Sequence, residues 1–360
     1  MRIKLIAVVV ALLLPCISAC STAVSYGSGI ETTVFTDSAG RAVVLPKDIT
    51  RVAPSGSVAT MILATICPDY MVCVSSTPSS SQYKYLPDRL MDLPTTGQLY
   101  GSRSTINLES LIGAAPQVII DLGDRKDSIA SDMDSLQSTT GIATVFIEAD
   151  LVNLADAYRS LGTILGLQER ADALASFVDE TMDTAARNRS VISDSDRVSV
   201  MYTSGPSGLS TNAAGSVQAQ VIDLVGANNA IIVDDVSNAG GGNIIDLEQL
   251  YNFDPDAVLF SMGSIFDSVS LLSAWSGLSA VKNSMFYEIP ELPYNWMASP
   301  PSVNMILGIW WLGNLIYPDV YDYDMVEMAQ RVYDLLWGYA LSTEEAHTML
   351  ANSTLIVNNR

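Results

Sequence analysis

Residues 106–120 read INLESLIGAAPQVII, and residues 245–259 read IDLEQLYNFDPDAVL. Laid over each other without a gap, the two stretches share Ile106/Ile245, Leu108/Leu247, Glu109/Glu248, Leu111/Leu250 and Pro116/Pro255. The spacing in each predicts a short amphipathic helix (Leu108, Leu111 and Ile112; Leu247, Leu250 and Tyr251), a proline turn and an apolar strand with no polar alternation. Such a strand is buried on both faces, as in a parallel sheet covered by helices. The second copy begins 139 residues after the first, too far for a solenoid or propeller, whose periods are about 20 to 50 residues. Two similar α/β lobes account for the echo; the alternative is chance recurrence of a common α-to-β step.

A chain of 360 residues has room for two domains of ordinary size. Apolar residues make up 49% and charged ones 16%, which excludes extensive disorder. The first twenty residues, MRIKLIAVVVALLLPCISAC, carry Arg2 and Lys4, an apolar run from Leu5 to Leu14, and small residues before Cys20. This is a secretory signal, and its run is too short for a stable membrane span. Ile17-Ser18-Ala19-Cys20 resembles a bacterial lipobox, which makes Cys20 the expected lipidation site. A plain signal peptide with an incidental cysteine is the alternative. With residues 1–20 removed, 16 basic residues face 39 acidic ones, a net charge of −23. Nucleic acid is a poor partner for such a surface, which favours a soluble monomer. Cys67 and Cys73, an even pair in an oxidising compartment, suggest a disulfide, with two buried thiols as the alternative.

The chain divides into the signal (1–20), a small polar tether (21–30), a first α/β lobe (31–150), connecting helices (151–190), a second α/β lobe (191–323), and a terminal helix and tail (324–360). TTVFTDSAGRAVVLP predicts a hairpin turning at Ser38-Ala39-Gly40. RVAPSGS is a strand running into a Ser/Gly turn before the helix VATMILATI. YMVCVSS is a further strand, and TPSSSQYKYLP is too rich in Ser and Pro to be helical. LQERADALASFVDETMDTAARNRS predicts one helix of about 22 residues, about 33 Å long and able to run beside both lobes.

Nearly every apolar strand ends in a Ser, Gly or Tyr loop, and in parallel sheets such loops gather at the carboxyl edge, where ligands bind. Ser55, Ser57, Tyr83, Tyr85, Tyr100, Tyr202 and Trp296 fall in these loops and are the candidate ligand contacts, the aromatic rings suiting a bulky chelate. Ser55, Ser57, Ser204 and Ser207 could instead cradle a small oxyanion such as molybdate or tungstate. Basic residues are scarce in the second half, so an anionic ligand must find its charge in the first lobe. Arg103 is the leading choice, with Arg125 and Lys126 in reserve. His347 is the only histidine, which argues against a histidine-ligated haem or metal site. No nucleophile elbow, P-loop, zinc motif or EF-hand loop is present, and a binding protein is expected rather than an enzyme. No resident cofactor is expected.

TDSAGRAVVLP followed by RVAPSGS, both echo copies, GLQERADALASF and VGANNA, in that order, resemble the iron-siderophore, haem and vitamin B12 binding lipoproteins that feed ABC importers. That resemblance implies a class III periplasmic-binding-protein fold, two Rossmann-like α/β lobes joined by a single long helix. It also implies an extracytoplasmic, lipid-anchored receptor delivering an iron chelate or corrinoid to an ABC permease, with any iron or cobalt belonging to the cargo. The alternatives are an oxyanion receptor and a non-transport surface lipoprotein. Arg103 sits on a loop that in the resembling family often supplies an arginine to siderophores. Family members commonly carry a permease-docking glutamate on the first helix of each lobe. Those positions hold Met61 and Gln220, so the docking residues do not carry over.

Overall fold

The computed structural model describes residues 24, 26–27, 29–100, 105–238 and 240–354. The signal segment, Cys20, most of the tether, Arg103 and the last six residues lie outside the described residues.

Strands β1 (Thr32–Thr36) and β2 (Ala42–Pro46) form the expected antiparallel hairpin. Its turn is organised by the buried Asp37 carboxylate, which accepts hydrogen bonds from the Ala39 and Arg41 N–H groups (3.0 and 2.9 Å) and from the Arg41 guanidinium (2.8 Å). The first lobe then runs β3 (Val52–Pro54), α1 (Ser57–Ile66), α2 (Ser80–Tyr83), α3 (Leu108–Gly113), β4 (Val118–Gly123), α4 (Ile129–Thr140) and β5 (Ala143–Glu148). Helices α5 (Leu154–Leu165) and α6 (Gln168–Val191) follow, and Gly166 ends α5 in the left-handed conformation. The second lobe contains β6 (Ser199–Ser204), β7 (Ser210–Thr211), α7 (Gln220–Leu224), β8 (Asn228–Asn229), β9 (Asn243–Ile244), α8 (Leu247–Phe253), β10 (Ala257–Phe260), α9 (Ser279–Lys282), β11 (Phe286–Glu288) and α10 (Met305–Ile316). Helices α11 (Met325–Trp337) and α12 (Thr343–Leu350) close the described chain.

The two sheets repeat one plan. In the first, β3, β4 and β5 are parallel neighbours in that order, and Met71 bridges to the free side of β3 at Val52. In the second, β8, β6, β10 and β11 stand in the corresponding parallel order. The echo copies supply the same step of each: α3 into β4, and α8 into β10. Asn107 and Asp246 cap the two helices, each side chain accepting from the backbone N–H three residues on (3.0 and 2.8 Å). Leu111 and Leu250 are fully buried, each stabilising its lobe by about 1.5–3 kcal/mol relative to exposure. Both helices end on a non-glycine residue at positive φ, Ala115 (+48°) and Asp254 (+33°), just before the shared proline. The next residues, Gln117 and Asp256, tie their strand to its neighbour by accepting from Arg51 N–H (3.0 Å) and Ser199 N–H (2.8 Å). Five features thus recur at one offset, although the residues that carry three of them differ.

The structure modifies several expectations. YMVCVSS makes isolated bridges at Met71 and Val74 rather than a continuous strand. The loop TPSSSQYKYLP contains the one-turn helix α2, whose entry is fixed by Ser79 N–H donating to Gln82 Oε1 (2.7 Å), a Ser-x-x-Gln pattern that offsets the surrounding prolines. The segment after residue 324 holds two helices rather than one. In the second lobe β7 and β9 add an antiparallel ribbon to the sheet.

Cys67 and Cys73 are free and buried, which corrects the expected disulfide. Cys67, at the end of α1, packs into the large core shared by α1, α5, α6 and α10, whereas Cys73 packs in a separate cluster with Ala53, Leu111 and Ile119. Burial pushes the Cys67 thiol far up and the Cys73 thiol up to about 11, so both behave as small apolar side chains.

The long helix α6 has 24 residues, about 36 Å at 1.5 Å per residue. It packs against α1 of the first lobe and against α7 and α10 of the second. Its Arg170 guanidinium donates to the carbonyls of Thr65 at the end of α1 (3.0 Å from Nε) and of Leu335 and Leu336 at the end of α11. Two helix C-termini, where carbonyl oxygens lack partners, are thereby joined to the connecting helix. Met61 is 2% exposed inside this packing, so it cannot serve as a docking position.

Candidate functional site

An open cleft of about 600 Å³ lies where the loops after β3 and β4 face those after β6 and β10. The chain reaches it by leaving each buried strand at its carboxyl end. Ser55, Gly56 and Ser57 follow β3, with Ser57 opening α1. Asp124 and Lys126 follow β4. From the other side come Tyr202 and Ser204 at the end of β6, Asn212 and Gln218 beyond it, and Ser261 after β10. Residues 298–301 line the base between them. Close backbone approaches hold two of the wall segments. A side chain at Gly97 (φ +75°) would place its Cβ 2.2 Å from Thr105 O, and one at Gly242 (φ +61°) 2.2 Å from Thr211 O. Gly97 precedes the wall residues Gln98 and Tyr100, and Gly242 closes the loop that carries Asn238 and Gly240.

On the first-lobe wall, Ser55 is buried and its hydroxyl donates to Asp121 Oδ1. Burial raises the Asp121 pKa above the usual carboxylate range, against the opposing Ser55 hydrogen bond and the Lys126 charge. Asp124 is shifted in the same direction, by partial burial first and by Asp150 next. The Lys126 ammonium lies 3.1 Å from the centroid of the Tyr100 ring, a cation–π arrangement. Loss of hydration there lowers the lysine pKa, against the pull of Asp121, Asp132 and Asp124. Tyr100 donates its hydroxyl proton to Asp132 Oδ2 (2.9 Å). Across the cleft Tyr202 is buried, its hydroxyl 3.4 Å from Asn295 Oδ1, and burial pushes its pKa up to about 12.

Of the sequence-predicted contacts, Ser55, Ser57, Tyr100, Tyr202 and Ser204 line this cleft. The others are placed elsewhere. Trp296 is fully buried, its indole N–H donating to Leu292 O (3.4 Å). Tyr85 is buried edge-on against Tyr333 and Tyr339, with ring centroids 5.7 and 5.0 Å away. Tyr83 is half-buried in α2, and Ser207 is exposed outside the cleft lining. Arg125 turns away from the cleft to Glu148 (3.1 Å) and the Ser38 carbonyl. Its neighbour Lys126 is the only basic side chain lining the cleft among the described residues. Asp121, Asp124, Asn212, Gln218, Asn238 and Ser261 were not signalled by sequence, being ordinary polar residues until the fold collects them.

A second hollow of about 630 Å³ is bordered by Tyr85, Glu291 and the start of α12. It is bridged by the protein's own Lys84–Glu345 ion pair (2.5 Å) and receives neither Ser/Gly turn. The cleft is therefore the better candidate. Among the described residues no group of three or more His, Cys, Asp or Glu side chains is placed to hold a metal ion.

Two sheet edges facing one another across a polar cleft, with a rigid helix behind them, define a bilobal solute-binding protein. The chain belongs to the family described as periplasmic binding protein, whose family model matches residues 52–292. It is similar to the ABC transporter solute binding protein from Sulfurospirillum deleyianum DSM 6946, at 28% identity and a TM-score of 0.81 over 88% of this chain and 99% of that one. It is 22% identical over 267 residues, 69% of this chain and 80% of the relative, to the uncharacterized ABC transporter substrate-binding lipoprotein YvrC of Bacillus subtilis (strain 168). The molybdate-bound periplasmic protein MolA of Haemophilus influenzae shares the fold, with a TM-score of 0.67 at 18% identity over 86% of this chain and 99% of that one. Class and fold thus agree with the resemblance carried by the sequence motifs.

Proposed function

We propose that the protein is the extracytoplasmic receptor of an ABC importer, anchored by a lipid on Cys20 and acting as a monomer. Its cargo is an organic metal chelate, of the siderophore, haem or corrinoid kind. The observation that carries this reading is the cleft itself, about 600 Å³ and walled by both lobes, within the range that holds drug-sized ligands. A tetrahedral oxyanion would leave most of that space to water. The serines at the strand ends and the fold shared with a molybdate-binding protein favour the oxyanion as the second reading.

Lys126 supplies charge to a negatively charged or strongly accepting group of the cargo. Arg103, three residues beyond the cleft-lining Tyr100, is the other candidate cation. Titrating intrinsic fluorescence with ferrioxamine B, haem, cyanocobalamin and molybdate tests the reading. Saturable binding of a chelate is expected, whereas saturation by molybdate alone would replace it with the oxyanion reading. For the bound chelate, Lys126→Met should weaken affinity roughly 10- to 100-fold, the worth of a hydrogen bond to a charged group. Arg125→Ala should leave it within about twofold, because that guanidinium is engaged outside the cleft.

A further inference from the structure

The second-lobe wall contains an acceptor that the protein leaves without a donor. Gln218 is 8% exposed and lines the cleft. Its amide orientation is fixed because Nε2 donates to Asn238 O (3.1 Å), while Asn238 Oδ1 accepts from Val217 N–H (2.9 Å) on the same turn. Oε1 is buried with no hydrogen-bond partner among the described residues. A desolvated amide oxygen in this state is a standing cost to the fold, and such atoms in native proteins call for a specific explanation. Across the cleft, Asp121 and Asp124 add carboxylate oxygens, which when ionised only accept. Ser57 and Lys126 can donate. A cargo matched to this lining needs donors as well as acceptors. A deprotonated oxyanion offers only acceptors, and so does haem, whose ring nitrogens are taken by iron and whose propionates are ionised.

Resting on the receptor reading above, we propose that Gln218 is a specificity-determining contact whose Oε1 accepts a hydrogen bond from an N–H of the cargo. The cargo is then an amide-bearing chelate, such as a hydroxamate siderophore with amide N–H groups or a corrinoid with carboxamides. Binding leaves all protons in place; the N–H exchanges water for the buried oxygen.

The test is isothermal titration of the mature chain with ferrioxamine B and cyanocobalamin, which carry amide N–H groups, and with haem and molybdate, which do not. The wild type should bind an amide-bearing probe in preference to both donor-free ones. Gln218→Leu, which removes the acceptor, should weaken that binding by roughly 3- to 10-fold, the worth of one neutral hydrogen bond. Gln218→Met, of similar length but without the amide oxygen, should lose as much. Preference of the wild type for haem or molybdate overturns the inference while leaving the receptor reading intact. So does a folded Gln218→Leu chain that binds the amide-bearing probe within twofold of wild type, the result expected if an ordered water satisfies Oε1 instead. Binding of none of the four probes by wild type is a different failure, that of the cargo reading on which the inference rests. If Gln218→Leu does not fold, the wild-type preference and the Met variant decide.

Discussion

Ala115 and Asp254 occupy the same strained backbone position in the two lobes, yet replacing each by glycine should have opposite effects. Both lie in the left-handed region, at φ +48° and +33°, where a Cβ costs about 1–2 kcal/mol relative to glycine. Glycine gives back about 0.5–1 kcal/mol by loosening the unfolded chain. Ala115 is exposed, and its side chain makes no hydrogen bond. Ala115→Gly should therefore stabilise the protein by about 0.5–1 kcal/mol. Asp254→Gly relieves the same strain but removes the carboxylate that accepts from Ser279 N–H (2.8 Å) and Ser279 Oγ (2.7 Å) at the start of α9. At about 1 kcal/mol for each bond, the loss exceeds the gain, and a net destabilisation of about 1 kcal/mol is expected. Urea denaturation of both variants beside wild type, at unchanged m-value, measures the pair. If the two midpoints move in the same direction, or if Ala115→Gly lowers its midpoint, the positive φ is not a source of strain and the reasoning fails.

Two further outcomes are expected. Because the folded pKa of Asp121 lies above its unfolded value, its negative charge opposes folding above both values, and this group's contribution to stability improves as pH falls through the folded pKa towards the unfolded one. Asp121→Asn, still able to accept from Ser55, should be more stable than wild type at neutral pH, with the difference shrinking in mild acid; a less stable Asn variant at pH 7 contradicts this. Cys67 and Cys73 should resist thiol reagents in the native protein and yield two free thiols once denatured without reductant, whereas a count of zero would restore the bridge.

The repeated helix-proline-strand step was legible because hydrophobic identity and proline are visible as letters. Its deeper half was not. Asn107 and Asp246 share a cap, Ala115 and Asp254 a backbone angle, and Gln117 and Asp256 a strand tie, but in each pair different residues fill one role. In the cleft, Ser55 and Ser57 could be found because they follow β3, and Tyr202 and Ser204 because they end β6, and strand ends define the ligand edge of a parallel sheet. Tyr85 looked like any other loop tyrosine in sequence, but its ring packs against Tyr333 and Tyr339, and no local pattern announces aromatic partners so far along the chain. Cys67 and Cys73 are close in sequence yet enter separate clusters. Gln218 lay hidden for the opposite reason, since a glutamine in a turn is unremarked until burial leaves one of its atoms alone.

Helix α6, clamped by Arg170 to α1 and to the end of α11, acts as a strut where many two-lobed receptors have a hinge. A strut limits how far the lobes can swing, so little conformational free energy stands between the empty and loaded forms, and affinity depends on a cleft already in shape. The same stiffness removes a signal. A transporter that takes cargo from a receptor stiffened in this way has to tell loaded from empty at the mouth of the cleft, by touching the cargo or the loops that touch it.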